Sequence, residues 1–182
     1  CIRDSLLPNP SFEVEGPTAG LADGWRIGSP LSAPNRLLSL VPSTLDPRGK
    51  AQRVDAKGLS GSAYVDVALP NASWVSMAPG QVLTVSAYVR GTQDLVSEIY
   101  LQYKNSGGAT VGTHGPLRTI LSDAWNRPVF TGAPAPAGTI GADVLLRVRG
   151  PLGGTASDGY YEIDRAQAEL STVVSAWKDN AK

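Results

Sequence analysis

The chain has 182 residues, with 16 basic and 16 acidic side chains and a formal net charge of zero. No overall field therefore draws it to nucleic acid or anionic lipid, and no run reaches the roughly 18 apolar residues of a membrane span, so neither nucleic acid nor membrane insertion is expected. Cys1 is the only cysteine, which excludes an internal disulfide framework, and 20 Gly with 14 Pro disfavour long helices.

The N-terminus lacks the charged-then-apolar order of a signal peptide. Cys1 reads as the product of initiator-Met removal or of a cut from a longer protein. A lipid-anchored start would be followed by a polar tether rather than by Leu6-Leu7. The opening "LLPNPSFEVEGPTAGLADGWRIG" (6–28) breaks at Pro8 and Pro10, which would hold a strand there to a sheet edge. Short strands are expected at Leu37–Val41, Ala51–Asp55 and Ala63–Leu69.

Strict period-two alternation then marks three stronger strands. In "VLTVSAYVRG", Leu83, Val85, Ala87 and Val89 form one face, and Thr84, Ser86, Tyr88 and Arg90 the other. In "SEIYLQYKN", Ile99, Leu101 and Tyr103 oppose Glu98, Tyr100, Gln102 and Lys104. In "ADVLLRVRG", Ala142, Val144, Leu146 and Val148 oppose Asp143, Leu145, Arg147 and Arg149. Weaker strands fall at Val111–His114, Pro128–Thr131 and Tyr160–Leu170, with turn signals at "APGQ", "NSGGA", "THGP", "APAPAG" and "GPLGGTASDG".

About nine or ten short strands so punctuated read as an all-β sandwich of jelly-roll type, with two antiparallel sheets in one domain over residues 1–170. Residues 171–182 form a C-terminal tail. Leu170, Val173, Val174 and Trp177 have the spacing of a short helix, so this tail is expected to be helical or extended and to pack on the domain or on a partner.

Four blocks in order, "LLPNPSFEVEG…GW", "APGQVLTVSAYVRG", "AWNRPVFTGAPAPAG" and "GYYEIDRAQAEL", resemble the jelly-roll carbohydrate-binding modules appended to xylanases and cellulases. They are closer still to the related domains of bacteriophage minor tail and tail-tip proteins. The resemblance runs roughly from Leu6 to Trp177. An Arg bias over Lys, with abundant Ala, Gly and Pro, agrees with a high-GC genome.

The resemblance implies that the opening block is the first strand, and that its acidic residue helps hold a structural Ca²⁺ with an Asp of the last strand. The matching residues are Glu13 and Asp164, with Asp46 of "TLDPRGK" as a third ligand. The competing reading has Arg48, Lys50 or Arg165 neutralise the pair with no metal present. Trp25 is expected to plug one end of the sandwich, and Trp125 to cover its edge.

A sugar face needs exposed rings beside planar polar groups. If the three strongest strands are neighbours in one sheet, as the resemblance implies, then Tyr88, Arg90, Glu98, Tyr100, Gln102, Arg147, Tyr64 and Asp66 line one surface. Such residues also stabilise a solvated sheet without binding anything. Trp74 is an alternative platform at a rim, or else a core or edge residue. "NAS" at Asn71 matches the N-glycosylation pattern, here read as accidental.

Catalytic material is sparse. His114 is the only histidine and there is no G-x-S-x-G; the one enzymatic alternative is a carboxylate pair from Glu98 and Asp143. The expectation is a non-catalytic module of a phage tail or tail tip, in the virion and facing outward. Its partners would be a cell-surface or polymeric glycan and other virion proteins, with a homo-oligomer in view. The alternatives are a module of a secreted glycan-degrading enzyme and a decoration domain without ligand.

Overall fold

The computed structural model describes residues 5–173 and 175–176. Among them are eleven strands: β1 (Arg26–Gly28), β2 (Arg36–Pro42), β3 (Lys50–Leu59), β4 (Tyr64–Ala68), β5 (Val75–Ser76), β6 (Thr84–Gly91), β7 (Val96–Lys104), β8 (Thr110–Ile120), β9 (Val129–Thr131), β10 (Gly141–Arg149) and β11 (Ser157–Glu169). The only helical piece among the described residues is one 3-10 turn, Ala33–Asn35.

Two antiparallel sheets form. The first runs β1-β4-β10-β7-β8, with β5 also paired to β10; the second runs β2-β3-β11-β6-β9. The expected all-β sandwich is therefore present, with strands wherever alternation predicted them. One difference lies in "THGP", expected as a turn: β8 continues through it to Ile120. There His114 Nδ1 accepts the Ala133 N–H at 2.6 Å and its ring tilts against Phe130.

Alternation places the core correctly. Leu83, Val85, Ala87 and Val89 of β6 are buried, as are Ile99, Leu101 and Tyr103 of β7 and Ala142, Val144, Leu146 and Val148 of β10. These rows face each other between the sheets and supply most of the drive to fold. Ser97 and Tyr161 hydrogen-bond within this core at 2.9 Å, and burial raises the Tyr161 pKa. Gly91 marks a close approach of two strands, because a Cβ there would lie 2.4 Å from the Tyr160 carbonyl oxygen.

The opening block is not a strand. Residues 5–14 are bends, turns and irregular chain, and the first strand is Arg26–Gly28. The reason lies in β11, whose pairing with β6 shifts register between Asp164 and Gln167, with Arg165 at φ 47°. The opening docks onto that irregularity through Ala166 N–H to the Pro10 carbonyl (2.7 Å) and Leu6 N–H to the Ala168 carbonyl (3.0 Å). Its anchor is Phe12, fully buried and stacked on Trp25 at 5.1 Å, while Trp25 Nε1 donates to the Pro8 carbonyl. Trp25 thus plugs the sandwich end as expected.

The helical spacing of the tail is not realised where it can be followed. Residues 170–173 are bends, and Ser175 and Ala176 are irregular. Val174 and Trp177 lie outside the described residues, as does Cys1.

Candidate functional site

The outer face of the first sheet gathers the polar and aromatic residues of β4, β7 and β10. In register, Arg147 lies between Asp66 and Glu98, Leu145 between Ala68 and Tyr100, and Asp143 opposite Gln102. Tyr64, Asp66, Glu98, Tyr100, Gln102 and Arg147 therefore share one side, as period-two alternation requires.

Arg147 organises the middle of this face. Its Nε and Nη2 grip both oxygens of Asp66 at 2.7 and 3.1 Å, and its guanidinium carbon sits 3.5 Å from the Tyr64 ring centroid and 4.6 Å from that of Tyr100. The two rings thus give surface to a cation, an arrangement stabilising by about 0.5–1 kcal/mol per ring. Glu98, with no exposed surface, accepts from Arg118 Nε (2.8 Å), Arg149 Nη1 (3.3 Å) and the Tyr100 hydroxyl (2.9 Å). Burial, then the bond to Glu98, raises the Tyr100 pKa, which keeps that hydroxyl a donor. Gln102 accepts from Lys104 Nζ at 3.1 Å.

No protein-family model matches the chain, and no curated protein matches it in sequence. Solved structures do. The enzymatically active domain of bacteriophage CBA120 tailspike protein 4 superposes with a TM-score of 0.66 at 12% identity, over 92% of this chain and 21% of that one. The chain thus spans about a fifth of the tailspike chain's length. TmCBM61, solved in complex with β-1,4-galactotriose, gives 0.59 at 14% identity over 93% and 100% of the two chains. The CBM22-1 xylan-binding domain of Paenibacillus barcinonensis Xyn10C gives 0.58 at 14% identity over 94% and 97%. The fold is that of the jelly-roll carbohydrate-binding modules.

Within this module-like fold, one expectation is corrected. Tyr88 and Arg90 lie on β6, in the second sheet, and so share no surface with Tyr100 and Arg147. Alternation reports which side of its own sheet a residue occupies, whereas sheet membership is decided by crossings between sheets, and the chain crosses both before and after β6. On that opposite surface Arg90 bonds Glu162 (2.6 Å) and lies over the Trp125 ring (4.8 Å). Arg53 bonds Glu162 and covers Tyr160, and Arg127 lies over Tyr88. Trp125 Nε1 donates to the Thr44 hydroxyl, which ties the ring to the edge of the sandwich.

Trp74 sits at the end of the first sheet, just before β5, in a cavity it shares with Arg26, Lys104 and Asp143. Sequence reasoning placed Asp143 and Arg149 outward but assigned them no binding part, and it gave none to Arg26 or Arg118. The signal for Arg26 was its place after Trp25: β1 pairs with β4, bringing Arg26 opposite Ala68, and its Nη2 reaches Asp143 at 2.8 Å.

The proposed enzymatic pair does not meet. Glu98 and Asp143 are four residues apart along the β7–β10 ladder, about 13 Å at the rise of a strand, against the roughly 5–9.5 Å of glycosidase carboxylates.

At the other end of the sequence, Glu13, Asp46 and Asp164 do gather. A Cβ on Gly49 would lie 2.9 Å from Glu13 Oε1 and 3.1 Å from Asp46 Cβ, so these two flank one glycine. Both Glu13 oxygens accept the Lys50 N–H at 3.1 Å. Asp164, 2% exposed, accepts the Ser43 hydroxyl at 2.5 Å, while burial, with Glu13's negative charge adding to it, pushes its pKa up to about 6. Asp46 lies 3.7 Å from Arg165. Among the described residues no three His, Cys, Asp or Glu side chains converge tightly enough to hold an ion alone. Glu13 and Asp164 each supply the carboxylate oxygens that a hard cation takes.

Proposed function

We propose that the chain is a non-catalytic glycan-binding module whose ligand face is the outer side of the first sheet. The observation that carries this reading is the convergence of Tyr64, Tyr100, Gln102, Arg147 and the cavity-lining Trp74 and Asp143 on one sheet of a fold shared with xylan- and galactotriose-binding modules. Rings supply flat apolar surface and the planar polar groups hydrogen-bond hydroxyls.

The setting we propose is a phage tail or tail tip, where the module faces outward and contributes to host-surface attachment or assembly. The tailspike likeness and the sequence blocks support it. The likeness to modules of glycan-degrading enzymes favours a second reading, the same module on a secreted enzyme. A structural Ca²⁺ held by Glu13 and Asp164 is part of the proposal: it would offset the charge of two neighbouring carboxylates and tie the opening block to β11.

Affinity electrophoresis through gels containing xylan or galactan tests the binding. Retardation of the wild type that is lost in a Tyr64→Ala, Trp74→Ala double variant supports the reading. Mobility unchanged by every glycan on a broad panel overturns it. A catalytic domain encoded on the same chain, or neighbouring tail genes, decides between the two settings.

A further inference from the structure

A cavity of about 390 Å³ opens where β7 ends and β10 begins. Its walls include Asn71 and Trp74 from the β4–β5 connection, Lys104 and Gly108 from the end of β7 and the turn after it, and Arg26 and Asp143 from the sheet. Asp143 is 2% exposed. Its Oδ2 accepts Arg26 Nη2 at 2.8 Å, but its Oδ1, also buried, has no hydrogen-bond partner among the described residues. The nearby Leu69 N–H bonds the Val144 carbonyl at 3.4 Å and also favours the charged form of Asp143, without making a full hydrogen bond to Oδ1.

Two buried polar atoms of this face lack a partner among the described residues, Asp143 Oδ1 and Arg149 Nε, and only the first is an acceptor. Both carboxylate oxygens of Asp66 and of Glu98 are engaged, and Asp143 Oδ1 alone among the buried side-chain oxygens of the described residues lacks a partner. A buried acceptor left unmade is costly, and a native structure retains one where a ligand or water completes it. Burial raises the Asp143 pKa against the opposing pull of Arg26, Lys104 and the Leu69 N–H.

The other walls suit a small ring. Trp74 is half-buried, and Gly108, at φ +81°, lies beside its indole: a Cβ there would come 3.5 Å from Cη2. Lys104 Nζ spends two donors, on Gln102 (3.1 Å) and Thr110 (2.7 Å), and keeps a third. The cavity thus presents an acceptor, a donor and an aromatic surface. A cationic sugar would meet Arg26 and Lys104, and an acidic one would meet Asp143. An uncharged ring with neighbouring hydroxyls, each both donor and acceptor, meets neither objection. The volume is at the small end of ligand pockets.

We infer that this cavity is a subsite for one neutral sugar ring, with Asp143 Oδ1 accepting a hydroxyl proton and Trp74 packing on the ring. The inference rests on the glycan-binding reading and narrows it, since it moves the recognition centre about 13 Å along β10 from the Arg147 cluster.

The test is titration calorimetry of the whole chain with β-1,4-galactotriose and xylohexaose, beside uronate- and amino-sugar oligomers. Wild type, Trp74→Ala, Trp74→Phe, Asp143→Asn and Tyr88→Ala are compared. The expected result is binding of a neutral oligomer that weakens at least tenfold in Trp74→Ala and Asp143→Asn and changes less than threefold in Trp74→Phe and in Tyr88→Ala, whose ring lies on the opposite sheet. Melting curves establish that each variant is folded; should Asp143→Asn melt early, Lys104→Met replaces it, with the same loss expected. Neutral binding unaffected by Trp74→Ala, or binding only of charged sugars, overturns the subsite and leaves the glycan reading standing. No binding to any glycan overturns both.

Discussion

Replacing Arg147 by methionine removes the centre of the polar face while keeping an unbranched stem of similar reach. The wild-type guanidinium makes a two-pronged bond to Asp66 and lies against two tyrosine rings. Asp66 is 5% exposed, so without Arg147 a buried carboxylate loses its charge partner, at about 3–5 kcal/mol. The two ring contacts add about 0.5–1 kcal/mol each, and the methionine stem recovers part of the packing. The expected net loss is about 4 kcal/mol, which at roughly 2–4 °C per kcal/mol for a chain of this size lowers Tm by about 8–16 °C. Urea unfolding at pH 7 measures it. The companion double variant, Arg147→Met with Asp66→Leu, removes both charges and is expected to return to within about 1 kcal/mol of the wild type. A single-variant loss under about 1 kcal/mol would refute the reasoning, because it would mean that Asp66 is not held by Arg147.

Tyr88→Ala is expected to leave glycan binding within twofold of the wild type, since β6 lies in the opposite sheet; affinity gels check it, and a large loss would move the ligand face. Phe12→Ala is expected to cost about 3–5 kcal/mol, since its ring has no exposed surface and stacks on Trp25; the urea midpoint reports it. EDTA is expected to lower Tm if Ca²⁺ binds only the folded chain, and Glu13→Gln to abolish that shift; a Tm indifferent to both Ca²⁺ and EDTA removes the metal from the proposal. Asp143 has its pKa raised by burial, so the folded chain holds this proton more tightly than the unfolded one. The associated stability is full below the ordinary carboxylate range and is lost as pH rises through the elevated value. Relative to wild type, Asp143→Asn should therefore become more favourable from pH 4 to pH 7, as Tm differences across that range will show.

Much of the fold was legible because alternation is a local property. The rows Leu83–Val89, Ile99–Tyr103 and Ala142–Val148 state their buried side in the sequence itself, and each is buried. The aromatic plug was legible for a related reason: Trp25 follows a turn and has no polar role nearby. The opening segment was misread as a strand, because its apolar residues are anchored singly on a bulge of β11 and not in a ladder. The tail shows the same weakness of short patterns, since a two-turn helix has too few internal hydrogen bonds to persist without packing.

The sequence by itself determined which side of each strand is apolar, and hence that this chain folds as two sheets with their aliphatic rows together. Only the tertiary structure decided which strands are neighbours. It separated Tyr88 from Tyr100, set Arg147 between Tyr64 and Tyr100, and brought Arg26 from β1 to Asp143 on β10. The physical reason is that side-chain direction alternates with a period of two residues along a strand. Pairing between sheets depends instead on loop crossings and on burial summed over the whole molecule, neither of which any single window contains.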